Sequence, residues 1–116
     1  MNKAAHTRRV YYWEENWIPA GPDCHIGVLR QLGARIWRDA GKTTQPPRIV
    51  AGDGERSGRR LMSYAQGADL IVLCRAQRNR RTLIHEITHT ILADSRGADH
   101  GPAFLRLYSE LLARYL

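Results

Sequence analysis

The stretch that decides the fold is residues 83–92, which read LIHEITHTIL. Its apolar side chains recur every three or four residues, a spacing that predicts a helix with one buried face. We expect Asn79 to cap this helix and the helix to end near Ala93. His85 and His89 are four residues apart, so that one helical turn brings their imidazoles to nearly the same face. The stretch therefore predicts a helix that presents two ligands to one ion.

The pattern from His85 to His89 is HExxH, and each of its polar residues has a chemical reason to be there. Zinc accepts neutral imidazole nitrogen, and a catalytic zinc site keeps one position for water beside three protein ligands. Glu86 lies next to the ligands, where its carboxylate can act as the general base. The alternative is two half-buried histidines on one helix with a glutamate nearby.

The third ligand must come from another part of the chain, and we expect it to be His100, eleven residues after His89. His100 stands just before a last helix, which Pro102 can open. Three carboxylates compete for this role, and the rigid position of His100 just before the last helix favours it over them. Those competitors are Asp94, Asp99 and Glu110. Asp99 can instead orient a ligating histidine by accepting a hydrogen bond from its other ring nitrogen.

The rest of the chain predicts one α+β domain spanning residues 1–116. A first helix runs over residues 24–40, with Asp23 as its cap, and residues 1–22 form an extension of uncertain structure. Three strands follow, at residues 48–51, 60–65 and 68–75. The last helix carries the apolar residues Phe104, Leu105, Leu107, Tyr108, Leu111, Leu112 and Tyr115.

The two later strands differ in their apolar pattern. Residues 70–74 are consecutively apolar, which is typical of a central strand covered on both faces. We therefore expect residues 68–75 to be central and residues 60–65 to form the edge, with a hairpin turn at Gln66-Gly67 between them.

The charge balance is strongly basic, with 18 Lys and Arg against 11 Asp and Glu and a net charge of +7. Such a surplus attracts polyanions such as DNA or RNA, although a bias in amino-acid usage explains it equally well. Four arginines cluster before and within the first turn of the HExxH helix, and they are either nucleic-acid contacts or solvated and carboxylate-paired surface groups. These are Arg75, Arg78, Arg80 and Arg81.

No apolar run is long enough to span a bilayer, and residues 1–10 lack the apolar core of a secretory signal. We expect a cytoplasmic protein that does not contact membranes and keeps Cys24 and Cys74 reduced.

His85 to His89, followed at a distance by His100-Gly101-Pro102-Ala103-Phe104, resembles the SprT-like zincin metallopeptidases. The resemblance implies a zinc-dependent peptidase with His85, His89 and His100 as ligands and Glu86 as base. It also implies a minimal zincin-like core: a helix, a small three-stranded sheet, the HExxH helix and a C-terminal helix. Because the sequence stops at Leu116, we expect this core to lack the Cys-rich zinc ribbon that many SprT-like proteins carry.

The opening residues carry a second, weaker resemblance. Val10-Tyr11 with Glu14 or Glu15 is similar to the start of small, uncharacterised bacterial and phage-encoded metallohydrolases with the same zinc signature.

In zincins an edge strand above the active-site helix pairs with the extended substrate, and residues 60–65 are the expected strand. Tyr64 and Tyr108 are candidate donors to the oxyanion, although both residues are equally typical of core or boundary aromatics.

The first functional hypothesis is thus a zinc metallopeptidase that acts on a protein or peptide. The alternative is a nucleic-acid-associated protein with a structural or regulatory zinc site. A regulator or toxin-like protein that uses the same fold without catalysis is a third.

Overall fold

The computed structural model of the chain describes residues 3–53, 55–57, 60–93 and 100–116. Within them the protein is a mixed α+β structure with four α-helices and a small three-stranded sheet. The elements in chain order are α1 (Lys3–Trp17), α2 (Ile26–Asp39), β1 (Arg48–Gly52), β2 (Glu55–Ser57), β3 (Arg60–Met62), β4 (Tyr64–Gln66), β5 (Leu70–Cys74), a 3-10 turn (Arg75–Gln77), α3 (Arg80–Ile91) and α4 (Pro102–Tyr115).

The sheet has the order β1-β5-β4, with β1 parallel and β4 antiparallel to the central strand β5. The expectation that the apolar run is central is confirmed, since Ile71, Val72, Leu73 and Cys74 are all buried. Strand β4 lies at an edge of this sheet, as predicted for its part of the chain.

The predicted single strand 60–65 is instead two strands, separated at Ser63. Here side chains take the place of the regular ladder: the Ser63 amide donates to the Gln77 side chain at 2.8 Å. The Ser63 hydroxyl in turn accepts from the Cys74 amide at 2.9 Å. Consequently β3 leaves the main sheet and pairs with β2 in a separate antiparallel ribbon.

Helix α2 begins two residues later than predicted, and its cap is His25 rather than Asp23. The Nδ1 atom of His25 accepts a hydrogen bond from the Gly27 amide at 3.0 Å, which satisfies one of the free N–H groups of the first turn. Cys24 lies outside the helix because its amide donates to the Arg78 carbonyl, 2.7 Å away. The helix starts later than predicted because this hydrogen bond joins the loop before α2 to the loop before α3.

Residues 3–17, which were of uncertain structure from the sequence, form helix α1. Val10 and Glu14 of this helix are buried, and the Trp13 ring packs edge-on against Tyr108, with 5.8 Å between centroids. The buried face mixes apolar and acidic residues, and for this reason the hydrophobic pattern did not reveal it.

Helices α3 and α4 match their predicted positions closely. The Asn79 side chain caps α3 by accepting from the Thr82 amide at 2.9 Å, and Pro102 opens α4. Helix α3 ends at Ile91, two residues before the predicted end. Apolar residues of all four helices join those of β1 and β5 in one core cluster, which holds α1 and the start of α4 against α3.

Among the residues that the structure describes, no helix has the length and apolar character that crossing a membrane requires.

Candidate metal centre

The three predicted histidine ligands lie together at the junction of α3 and α4. The Nε2 atom of His100 lies 3.0 Å from Nε2 of His85 and 3.1 Å from Nε2 of His89. His85 is buried and the other two are half-buried, which leaves the cluster reachable from one side. The structure thus assembles a group of three histidines that could hold a metal ion.

The spacing of these nitrogens suits a small cation. A tetrahedral zinc ion with Zn–N bonds of about 2.0–2.1 Å holds its nitrogen ligands about 3.3 Å apart, close to the separations seen here. The N–H of the neutral His85 imidazole is directed at Glu14 from Nδ1, which leaves its Nε2 atom as an acceptor that faces the other two rings. Three imidazole nitrogens at these separations therefore fit a zinc ion.

His100 reaches the cluster through an unusual backbone conformation, with φ at 69°. A non-glycine residue in this left-handed region costs of order 1–3 kcal/mol and persists only where its surroundings fix it. The Thr7 hydroxyl lies 3.1 Å from Nδ1 of His100, and the Phe104 ring packs against the imidazole at 4.8 Å between centroids. Strain at this residue therefore accompanies the placement of the third histidine in the cluster.

Phe104 forms an apolar floor beneath the three imidazoles. Its ring is fully buried and lies 5.1 Å from the ring of His85 and 4.5 Å from that of His89, measured between centroids. Because the residue is one turn into α4, the same short segment that supplies His100 also supplies its support.

Glu14 is the main contributor to the centre that the sequence reasoning did not place. Its carboxylate is 6% exposed and accepts hydrogen bonds from Nδ1 of His85 at 2.9 Å and from the Tyr108 hydroxyl at 3.0 Å. Such a carboxylate fixes the tautomer and orientation of a ligating histidine. Asp99, the residue predicted for a role of this kind, lies outside the described residues.

Helix α1 contributes three residues to the centre from one face. Thr7, Tyr11 and Glu14 follow one another at spacings of four and three, which is the helical period. Thr7 contacts His100, Tyr11 stacks on His85, and Glu14 accepts from His85. This polar periodicity is the feature of the sequence that could have revealed the role of α1.

Glu86 is 5% exposed and lies in the wall of a groove of about 680 Å³ that borders the centre. Burial raises the pKa of the Glu86 carboxyl to about 7, His85 opposes this rise, and the carboxylate of Glu14 adds to it. The groove also has Tyr11 and Arg75 in its lining, together with residues 61–63. Burial, and then the carboxylates of Glu86 and Glu14, raise the pKa of Tyr11 to about 12.

The two predicted oxyanion donors do not lie beside Glu86 in this groove. Tyr108 is fully buried and its hydroxyl donates to Glu14, so that it supports His85 from behind, contrary to the expected role. Tyr64 is in β4, opposite Val72, and is not among the residues that line the groove.

The predicted arginine cluster divides into two kinds of residue. Arg81 donates to the carbonyls of Glu14 and Ile18 at the end of α1, and Arg78 donates to the Leu73 carbonyl at 3.3 Å. A cation at the carbonyl end of a helix is favourable, and the contacts of Arg81 with the end of α1 therefore compensate for its place at the start of α3. Arg78 and Arg81 therefore make hydrogen bonds within the protein. Arg75 and Arg80 are the two exposed members of the predicted cluster.

Of the competing ligands, Glu110 is exposed on α4 and is not part of the cluster of three histidines. Asp94 lies outside the described residues, as does Asp99.

Comparison of the chain with family models, with curated proteins and with solved structures finds no match. The site is therefore interpreted from its own geometry.

Proposed function

We propose that the protein is a zinc-dependent metallopeptidase with a minimal zincin-like core. The observation that carries the proposal is the convergence of three histidine Nε2 atoms, with the general-base candidate Glu86 in the wall of the adjoining groove. Nearly the same residues underlie the resemblance to SprT-like peptidases, and the cluster of three histidines supports the metal site that the proposal requires.

In this proposal His85, His89 and His100 hold the ion. When bound, zinc supplies a Lewis acid that polarises a carbonyl and acidifies water. A protein ligand at the fourth position would make the site structural, and the described residues place only the three histidines in the cluster.

Glu86 moves the proton. Its carboxylate oxygen accepts a proton from the water that attacks the carbonyl carbon, and then gives the proton to the amide nitrogen as the C–N bond breaks. Burial, which raises the pKa of the Glu86 carboxyl, suits both transfers, because an acid with a pKa near the working pH gives and takes protons readily. A cation at the histidines would lower that pKa again.

In this proposal an extended peptide binds in the groove, whose lining includes residues of α1 and residues 61–63. Leu61 is exposed there, while the Ser63 amide is already bound to the Gln77 side chain. In the proposed complex, therefore, a substrate pairs with this wall through backbone groups other than the Ser63 amide.

The decisive experiment combines metal analysis with Glu86→Gln. We expect about one zinc per chain in the wild-type protein and in the variant. Peptide hydrolysis should fall by about 100-fold or more in the variant, the usual cost of losing a general base. The assay is cleavage of a mixed peptide library read by mass spectrometry.

The matched control is Glu110→Gln, which removes an exposed carboxylate from α4 and should leave both measurements unchanged. A wild-type protein that takes up no zinc on titration would end the proposal, and an active Glu86→Gln variant would remove Glu86 from the mechanism.

A second candidate function is nucleic-acid binding, favoured by the net charge of +7 and by the exposure of Arg75 and Arg80. In this case DNA or RNA affinity should fall steeply with added salt. The double variant Arg75→Gln/Arg80→Gln should lose about two phosphate contacts, so the slope of log affinity against log salt concentration should become shallower by about two. Filter binding at low salt tests it, and an absence of binding there contradicts it.

A further inference from the structure

Tyr11 lies between the metal centre and the groove. Its ring stacks almost parallel on the imidazole of His85, at 5.7 Å between centroids and 7° between planes. The same ring meets His100 at 5.7 Å and 52°. Tyr11 thus touches two of the three proposed ligands and lines the groove that Glu86 lines.

The hydroxyl groups of Tyr108 and Tyr115 are used inside the protein, whereas that of Tyr11 is available. Tyr108 donates to Glu14, and Tyr115 donates to Asp39 at 2.6 Å. Within the described part of the chain no side chain or carbonyl forms a hydrogen bond with the Tyr11 hydroxyl, and the residue is 37% exposed. A phenol is both donor and acceptor, so this group can still bind a partner from the groove.

We infer that Tyr11 is a further catalytic residue, whose hydroxyl donates a hydrogen bond to the oxygen of the carbonyl under attack. This inference rests on the proposed function. As the carbonyl carbon becomes tetrahedral its oxygen gains negative charge, and the hydrogen bond strengthens while the phenol keeps its proton. The role is the one that the sequence analysis sought in Tyr64 and Tyr108.

The position of the ring explains how the donor is held. Stacking on His85 fixes the plane of the phenol, and α1 is fixed in turn by Glu14 and by the contacts of Arg81 with its last carbonyls. A donor that is oriented before the substrate arrives costs no reorganisation during the reaction, which is the physical basis of oxyanion stabilisation.

The test compares Tyr11→Phe with Tyr12→Phe. Phenylalanine keeps the stacking ring and removes only the hydroxyl. Tyr12 is the next residue of the same helix and is 67% exposed, so its variant controls for the loss of a surface phenol. Both zinc-loaded variants are measured for zinc affinity by chelator competition and for kcat and KM on a peptide that the wild type cleaves.

A measurement without turnover accompanies these. The probe is a phosphinic Ala–Ala isostere, whose two phosphinate oxygens share one negative charge and imitate the tetrahedral state. Its affinity is measured by calorimetry. We expect Tyr11→Phe to retain zinc, to lower kcat by about 100-fold with little change in KM, and to weaken probe binding by about 10- to 100-fold. Tyr12→Phe should behave as the wild type.

Equal probe affinity in Tyr11→Phe and the wild type overturns the inference, and so does a loss of zinc by Tyr11→Phe, since the hydroxyl would then support the ligands. A wild-type protein that binds the probe but cleaves no peptide contradicts the proposed function instead. In that event the comparison of probe affinities still decides the role of Tyr11.

Discussion

At the scale of single residues, the buried carboxylate of Glu14 is central to the proposed centre. It binds His85 and Tyr108, and Arg81 lies 3.8 Å from it. Buried charge is costly unless it is paired and hydrogen-bonded, and here three groups compensate it. The arrangement fixes the Nδ1 proton of His85 and leaves its Nε2 atom to the cluster.

Replacing Glu14 with Gln should weaken zinc binding by about 10- to 100-fold, the typical cost of losing the partner of a ligating histidine. Glutamine keeps the shape but loses the negative charge that raises the basicity of the imidazole. Chelator competition measures the change. Glu15→Gln, which alters the exposed neighbour, serves as the control, and equal affinities in all three proteins would contradict the role.

A second residue-scale prediction concerns Asp39. The hydrogen bond from Tyr115 lowers the pKa of the Asp39 carboxyl most, and Arg114 and Arg35 lower it further. A lowered pKa means that Asp39 contributes stability above its unfolded value of about 3.9, and that this contribution is lost as the pH falls through the lower folded value.

The free energy of unfolding of the wild type should therefore exceed that of Asp39→Asn near neutral pH, and the difference should shrink as the pH drops below about 4. Urea titrations of both proteins with a chelator present measure it, because the chelator removes the contribution of pH-dependent metal binding to stability. A difference that does not change with pH would show that the Asp39 interactions do not depend on its charge.

At the scale of elements, helix α2 packs so closely on β1 that a Cβ atom at one glycine position would force its neighbour to shift. A Cβ atom at Gly33 would collide with the Cδ1 atom of Ile49. In an exposed helix, replacing Gly with Ala stabilises the helix by about 1 kcal/mol. At this position the collision with Ile49 opposes that gain.

We expect Gly33→Ala to destabilise the protein by about 1–3 kcal/mol, the range for overpacking a core. Adding Ile49→Val removes the colliding atom, and the double variant should recover part of the loss relative to the sum of the single changes. Urea unfolding of the wild type, the two single variants and the double variant gives the coupling free energy between the two positions. Additive changes would contradict the proposed collision.

Helix α1 is the element whose role differs most from expectation. The sequence showed a charged and aromatic segment without a clear apolar stripe, and the structure places one of its faces on two of the proposed ligands. Its buried Glu14 is stable only beside His85 and Tyr108, which lie 71 and 94 residues away in the chain. The pattern of neighbouring residues in the sequence does not indicate hydrogen-bond partners that are so far away in the chain.

At the scale of the whole molecule, the candidate centre joins three helices. His85 and His89 belong to α3, His100 precedes α4, and Thr7 and Glu14 bring α1 to the same point. An ion that binds only the folded arrangement should therefore stabilise the entire fold.

Free zinc at 100 times its Kd should add about 2.7 kcal/mol to the free energy of unfolding. For a domain of this size, that gain is a rise in Tm of roughly 10 °C. Scanning calorimetry with zinc and with a chelator measures the difference, and His100→Ala should abolish it. A Tm that does not respond to zinc would show that the three histidines do not bind the ion.

By itself the sequence determined the HExxH helix, its Asn79 cap, the central strand β5, the Pro102 start of α4 and the identity of the three clustered histidines. The helices, the cap and the strand depend on interactions between residues near one another in the chain, such as helical periodicity, capping and a continuous apolar run. His100 was identified instead from its spacing after His89, its place before the last helix and the family resemblance. Only the tertiary structure decided that Glu14, Tyr11 and Thr7 face the centre and that Arg78 and Arg81 are used inside the fold. It also decided the break at Ser63. The physical reason is the same in each case: a polar side chain finds its partner on another element, and the free energy of that contact exists only after the elements have packed.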